Sequence, residues 1–188
     1  MKRLFVTAVI LALAAAACGD DGDGSTGSAA GVHNQADIAF VQGMIPHHEQ
    51  AVTMSEYASS RASNTKVKDL AGRIESAQEP EIRQMKGLLE DWGVEAASGG
   101  HGGGHGGGAA GHPGMLSDDE LGRLKGASGQ QFDRLFLQGM IAHHRGAITS
   151  SEKEQAEGQS PEAKALAGEI IKAQRAEVAE MEQLLAAV

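Results

Sequence analysis

The sequence predicts an all-α fold, a four-helix bundle built from two similar helical hairpins. Eleven of the eighteen residues of FVQGMIPHHEQAVTMSEY, which begins at Phe40, recur unchanged in FLQGMIAHHRGAITSSEK, which begins at Phe136. The same offset of 96 residues continues without a gap to the C-terminus. No segment alternates between polar and apolar residues as a strand does. One helical unit used twice therefore predicts two hairpins that bury their apolar stripes against each other.

The first residues are predicted to lie outside this fold. Lys2 and Arg3 precede an apolar run, and residues 1–17 resemble a signal peptide that is too short to span a membrane once mature. Cys18 follows small residues, which indicates a lipoprotein anchored to the membrane only through lipid on Cys18; ordinary secretion is the alternative. Residues 18–35 then form a flexible tether. The expected location is extracytoplasmic, in the periplasm or at the cell surface.

Charge and cysteine content exclude some classes of protein. The formal net charge of −9 argues against nucleic acid as a partner, because phosphates need a basic surface. Cys18 is the only cysteine, so packing and not an internal disulfide must hold the fold. An acidic domain suits cations as partners.

Helix signals divide residues 36–188 into one duplicated bundle. The second hairpin has the clearest signals, with Gly158 suited to the C′ position, Ser160 to the N-cap and Pro161 to the first helical residue. The sequence Ser-Asp-Asp-Glu from Ser117 is a capping box for a shorter helix. The predicted long helices run from about Ala36 to Ser60, Thr65 to Trp92, Gln130 to Glu157 and Pro161 to Ala187. The corresponding segments are copy one at 36–92, a linker at 93–116, a short helix and turn at 117–129, and copy two at 130–188.

The linker is rich in glycine and histidine and is predicted to be a mobile connection. Its centre reads HGGGHGGG. Its histidines are His101, His105 and His112. They fit either a loose metal-capture tract or a spacer whose histidines are incidental.

The paired histidines border the stripe that must face the bundle interior. With Met44 at 0° and 100° per residue, His47 lies at about −60° and His48 at about +40°. On the next helix Glu81 falls on the apolar stripe with Gln78, and a carboxylate there is costly unless it has a partner. Helix geometry places His47 level with these two residues. The second copy repeats the arrangement with Met140, His143, His144, Gln174 and Glu177.

Imidazole, carboxylate and thioether groups together indicate a transition-metal site, with copper favoured by the methionine sulfur. The candidate ligands are His47, His48, His143, His144, Met44, Met140, Glu81 and Glu177. The alternative is that the histidines only satisfy buried carboxylates. Asp37 and Asp133 are predicted as N-terminal helix charges or caps, with ligation as the alternative. A metal ion is thus the predicted partner, and a metal-handling protein is a further candidate.

Enzyme signatures are mostly missing. The Glu-x-x-His motif of di-iron bundles is absent, because the residues three before the histidines are Met44, Ile45, Met140 and Ile141. A metal-dependent redox enzyme and a structural or partner-binding module without metal remain as alternatives to a copper-binding protein that buffers the ion or hands it on.

The segments GMIPHHEQAVTMSEYA and LAGRIESAQEPEIRQMKGLL, and their counterparts GMIAHHRGAITSSEKE and LAGEIIKAQRAEVAEMEQLL, resemble domain-of-unknown-function family 305. The resemblance covers roughly residues 36–92 and 130–188. It implies a ferritin-like fold, secretion, and copper binding in some members. It marks Met44, His47, His48, Gln78, Glu81 and Met85, then Met140, His143, His144, Gln174, Glu177 and Met181.

Overall fold

The computed structural model describes residues 31–95 and 112–188 of the protein. The helices of this part are α1 Gln35–Arg61, α2 Thr65–Asp91, α3 Asp118–Gly126, α4 Gly129–Glu157 and α5 Pro161–Ala187. The described residues contain no strand, which confirms the predicted all-α bundle. The predicted signal peptide, Cys18, most of the tether, and His101 and His105 lie outside the described residues. Within those residues, no helix has the length and apolar character that crossing a membrane requires.

The helix starts follow the local signals in the sequence. Ser160 caps α5 through a 3.1 Å hydrogen bond from the backbone N–H of Ala163, and Pro161 is the first helical residue. Ser117 and Glu120 form the predicted capping box of α3. Asn34 forms a second capping box with Asp37 at the start of α1.

Gly158 differs from its prediction. It is the C-cap of α4, and its backbone is extended at φ −70° instead of left-handed. Its missing Cβ serves packing, because an added Cβ would lie 2.1 Å from a carboxylate oxygen of Glu154 and 2.7 Å from one of Asp37. A side chain here would have to displace these carboxylates, so this glycine allows close packing and does not make a left-handed turn.

Each hairpin pairs two long helices, α1 with α2 and α4 with α5, and the hairpins meet chiefly where α1 packs on α4. The core is aliphatic, with few aromatic rings. Its fully buried side chains include Met54, Leu70, Ile74, Met85, Leu89, Phe132, Phe136, Leu137 and Ile170. The helices thus bring the centres of α1 and α4, where the histidine pairs lie, to the middle of the bundle.

Each hairpin contributes one buried aspartate that accepts hydrogen bonds from the turn of the other hairpin. Asp133 in α4 accepts hydrogen bonds from the backbone N–H groups of Ser63 (3.1 Å) and Asn64 (3.0 Å) in the α1–α2 turn. Asp37 in α1 accepts bonds from the N–H groups of Gln159 (3.0 Å) and Ser160 (2.8 Å) in the α4–α5 turn. Asp37 also caps its own helix through the capping box with Asn34, whereas the hydrogen bonds of Asp133 go to the turn of the opposite hairpin. These reciprocal hydrogen bonds help to set the position of α1 against α4.

Candidate metal centre

The two hairpins contribute one histidine each to a contact at the centre of the bundle. The ring centroids of His47 in α1 and His143 in α4 lie 3.7 Å apart, with the ring planes at 41°. Within each helix the neighbouring rings are farther apart, at 6.4 Å for His47 and His48 and 6.4 Å for His143 and His144. All four side chains are buried. The sequence-predicted inward orientation of the histidines is therefore what the structure has.

The carboxylates contact the outer histidine of each pair. Nε2 of His48 lies 2.8 Å from Oε2 of Glu81, and Nε2 of His144 lies 2.8 Å from Oε2 of Glu177. The predicted level of His47, near Gln78 and Glu81, falls within the same helical turn as this contact, and the residue that makes the contact is the adjacent His48. The reason is angular: adjacent helical residues differ by about 100°, so that His48 faces α2 while His47 faces α4.

Hydrogen bonds identify which ring nitrogen carries the proton. A carboxylate or backbone carbonyl oxygen only accepts hydrogen bonds, so Nε2 is the protonated atom in His48 and in His144. His47 donates from Nε2 to the carbonyl oxygen of Pro113 at 3.2 Å. In all three rings Nδ1 is buried without a hydrogen-bond partner, and it is the atom that carries the lone pair when the ring is neutral. Neither ring nitrogen of His143 has a hydrogen-bond partner.

Burial keeps the central rings neutral. It lowers the pKa of His47 to about 3, with a further contribution from the neighbouring His48. Burial also lowers the pKa of His143 well below its usual value, and the nearby His47 acts in the same direction. His112, whose ring is half-buried, has a pKa lowered by burial. A neutral imidazole is the form that binds a metal ion.

The remaining predicted residues lie in the core around the histidines. Met44 and Met140 are buried one turn before the histidine pairs, packed among apolar side chains of two different clusters. The side-chain amides of Gln78 and Gln174 are buried, and neither their oxygen nor their nitrogen has a hydrogen-bond partner. Among residues 31–95 and 112–188, no three or more His, Cys, Asp or Glu side chains form a ready-made metal cluster.

Sequence reasoning missed the contact of His47 with Pro113. Residues His112–Leu116 at the end of the glycine-rich linker lie across α1 and α4. The carbonyl of Leu116 accepts a 3.0 Å hydrogen bond from Nε2 of Gln50, and its N–H donates to Oε1 of Gln50 at 2.8 Å. The sequence did contain one signal for this contact. The helices α1 and α4 carry the glycines Gly43 and Gly146 where His112 and Pro113 lie against them, and these glycines leave room for a crossing chain.

Comparison with known proteins identifies relatives over most of the described chain. The family model DUF305, a domain of unknown function, matches residues 37–185. A curated relative, the uncharacterized protein L153 of Acanthamoeba polyphaga mimivirus, is 38% identical over 55 residues. That match takes in 29% of this chain and 36% of the relative, so the chain spans about a third of the length of that protein.

Solved structures share the fold. A candidate secreted DUF305 protein from Streptomyces coelicolor is 30% identical with a TM-score of 0.71, over 80% of this chain and 92% of that one. A DUF305 fragment from Deinococcus radiodurans is 30% identical with a TM-score of 0.70, over 82% and 98%. CopM in its Cu(II)-bound form is 34% identical with a TM-score of 0.68, over 80% and 95%. CopM structures in Cu(I)-bound and Ag-bound forms are also similar.

Proposed function

This chain belongs to the DUF305 family, and on that premise we propose that it binds copper outside the cytoplasm and buffers the ion or hands it on. The observation that carries this proposal is the set of unpartnered nitrogen atoms on four buried imidazoles. A buried polar atom without a partner costs about 1–3 kcal/mol. A bound metal ion would supply the missing partner at several of these atoms at once.

The carboxylates fit the role of orienting groups. A metal-binding histidine commonly donates its other ring N–H to a carboxylate or backbone carbonyl, which fixes the ring and its tautomer. His48 with Glu81 and His144 with Glu177 have this arrangement, and His47 has it with the Pro113 carbonyl. We therefore assign Glu81 and Glu177 to holding the histidines, in preference to direct ligation.

Copper is the metal that the donor set favours. Imidazole nitrogen binds several transition metals, whereas thioether sulfur favours Cu(I). Met44 and Met140 lie three residues before His47 and His143, and either sulfur is a candidate further ligand. The structures of CopM with Cu(I), Cu(II) and Ag support the same choice of metal.

The proposed location rests on the N-terminal sequence. We propose that residues 1–17 are a signal peptide, that Cys18 is lipidated, and that residues 18–35 connect the anchor to a duplicated domain at 36–188. The candidate secreted relative from Streptomyces coelicolor supports the extracytoplasmic part of this proposal. We also infer a duplication, since the 96-residue offset relates His48 and Glu81 to His144 and Glu177, whose hydrogen bonds have the same length.

Isothermal titration with Cu(I) and with Cu(II) tests the function. We expect the wild-type chain to bind at least one of these ions, and a variant with His47, His48, His143 and His144 changed to alanine to lose that binding. The control is His33→Ala, which removes a histidine that stacks on Trp92 outside the site. Equal affinity in the wild type and the four-histidine variant would contradict the proposal.

A further inference from the structure

The segment His112–Leu116, which we name the strap, crosses the groove between α1 and α4 above the central histidines. It is bonded to α1 at two places, by His47 Nε2 to the Pro113 carbonyl at 3.2 Å and by the paired hydrogen bonds between Gln50 and Leu116. Pro113 contacts His47, whose ring in turn contacts His143. The strap therefore lies between the buried pair and the surface.

Glycine residues on the strap and on α4 let the two backbones approach closely. A Cβ on Gly146 would lie 1.7 Å from the Pro113 carbonyl oxygen. Gly114 has φ +86°, and a Cβ there would lie 2.3 Å from the carbonyl oxygen of Ala142. Backbone atoms at such distances leave no room to shift cheaply, so these two glycines fix the path of the strap.

The imidazole of His112 lies at the edge of the strap, directly on the backbone of α1. A Cβ on Gly43 would lie 1.7 Å from Cε1 and 2.1 Å from Nε2 of His112. Gly43 precedes His47 by about one helical turn, so the His112 ring lies against α1 one turn before the position of His47. His112 is adjacent in sequence to Pro113, the residue that accepts the hydrogen bond of His47.

A cavity of about 300 Å³ opens beside this histidine. Its walls come from the first turns of α1, from the later turns of α4 and from the strap itself. The lining residues are Ala36, Ala39, Phe40, His112, Thr149 and Glu154, with Pro113, Ser150 and Lys153. His112 thus borders the cavity on one side and the neighbourhood of His47 on the other.

From these contacts we propose that His112 is a relay ligand, which takes Cu(I) at the cavity and passes it to the buried histidines. This inference rests on the proposed copper binding. A Cu–N bond to His112 forms as the previous ligand of the ion leaves, and it breaks as a Cu–N bond to Nδ1 of His47 forms. The oxidation state of copper does not change. No proton moves either, because Nε2 of His47 keeps its proton and continues to donate a hydrogen bond to the Pro113 carbonyl.

Exchange kinetics test the relay. We would measure transfer of Cu(I) from a coloured Cu(I) chelator to the full chain, with the linker intact, and the reverse transfer, by stopped flow. For His112→Ala we expect both rates to fall about tenfold, which corresponds to about 1.4 kcal/mol in barrier height. The equilibrium affinity should stay within about threefold, because His112 does not hold the ion in the final state. His112→Met, which places a Cu(I)-binding thioether at the same position, should restore the rates.

Each outcome decides a different point. If the strap histidine only plugs the groove, His112→Ala will exchange copper faster than the wild type, and the relay is wrong. Unchanged rates also refute it, and a loss of affinity equal to the loss of loading rate would make His112 a permanent ligand instead. A wild-type chain that takes no Cu(I) refutes the proposed function itself, whereas normal binding with unaltered kinetics in the variant refutes the relay alone.

Discussion

The ring of His47 lies 3.7 Å from the ring of His143, centroid to centroid, although the two residues belong to different hairpins. Both rings are buried, and burial lowers the pKa of both, so they meet as neutral groups without charge repulsion. Two buried imidazoles with unpartnered nitrogens are a cost to the folded chain in the absence of a bound ion.

Replacing His143 by leucine should leave the metal-free protein at least as stable as the wild type. The substitution removes two buried nitrogens without partners, so urea unfolding should show a change between no loss and a gain of about 2 kcal/mol. His33→Leu is the control. The same variant should lose any rise in melting temperature that Ag(I) or Cu(I) gives the wild type. A loss above about 2 kcal/mol would instead indicate that His143 is structural.

Removing the Asp133 carboxylate should destabilise the docking of the hairpins. Asp133→Ala deletes acceptors for Ser63 and Asn64, and hydrogen bonds to a charged group contribute about 1.5–3 kcal/mol each. Allowing for relaxation, we expect a loss of about 2–4 kcal/mol in urea unfolding at neutral pH. Asp119→Ala, an exposed position in the first turn of α3, should change stability by less than about 1 kcal/mol. If both variants lose less than about 1 kcal/mol, the hydrogen bonds of Asp133 to the α1–α2 turn do not contribute to the stability of the fold.

The buried carboxyl of Glu154 should make the protein less stable as the pH rises. Burial raises the pKa of Glu154 to about 8 in the folded chain, and the carboxylate of Asp37 beside it adds to the effect. The folded state then holds a proton that the unfolded chain releases near pH 4.5, so stability falls from about pH 4.5 to 8. Glu154→Gln cannot ionise, and it should be more stable than the wild type at pH 8 and similar to it near pH 4.5.

Comparing the two proteins at each pH isolates Glu154 from other titrating groups. His47 has a lowered pKa and gives stability that is lost as the pH falls below about 6.5 towards 3, the opposite direction. This contribution is common to wild type and Glu154→Gln and cancels in the difference. Urea midpoints at pH 5, 6, 7 and 8 are the measurement. A difference between the two proteins that does not grow with pH would disprove the assignment of a raised pKa.

A methyl group at Gly146 should push the strap off α4. Gly146→Ala places Cβ against the Pro113 carbonyl, and overpacking against backbone costs about 1–3 kcal/mol. Gly72→Ala in α2 is the matched control, since nothing lies within 4 Å of a Cβ there. Alanine in that open helical position should stabilise the protein by about 0.5–1 kcal/mol. Faster hydrogen exchange at the Leu116 N–H in Gly146→Ala, but not in Gly72→Ala, would report release of the strap.

Much of the helical framework could be predicted because helix signals are local. Ser160, Pro161 and the Ser117 capping box fix helix starts through bonds within a few residues, and the observed helices begin where these signals lie. Gly158 shows the limit of such reasoning. The same glycine suits a left-handed turn and a crowded contact, and only the neighbouring Asp37 and Glu154 decide between them.

The sequence by itself determined that α1 and α4 each turn a histidine pair and a methionine inward, because the 3.6-residue period of a helix assigns every side chain to a face. Only the tertiary structure decided that His48 contacts Glu81, that His47 contacts His143, and that the strap crosses above them. Those contacts depend on how hairpins dock and how a distant chain segment returns. Contacts between residues that are far apart in the sequence are not determined by the residues next to them in the chain, so they could not be predicted from local sequence patterns.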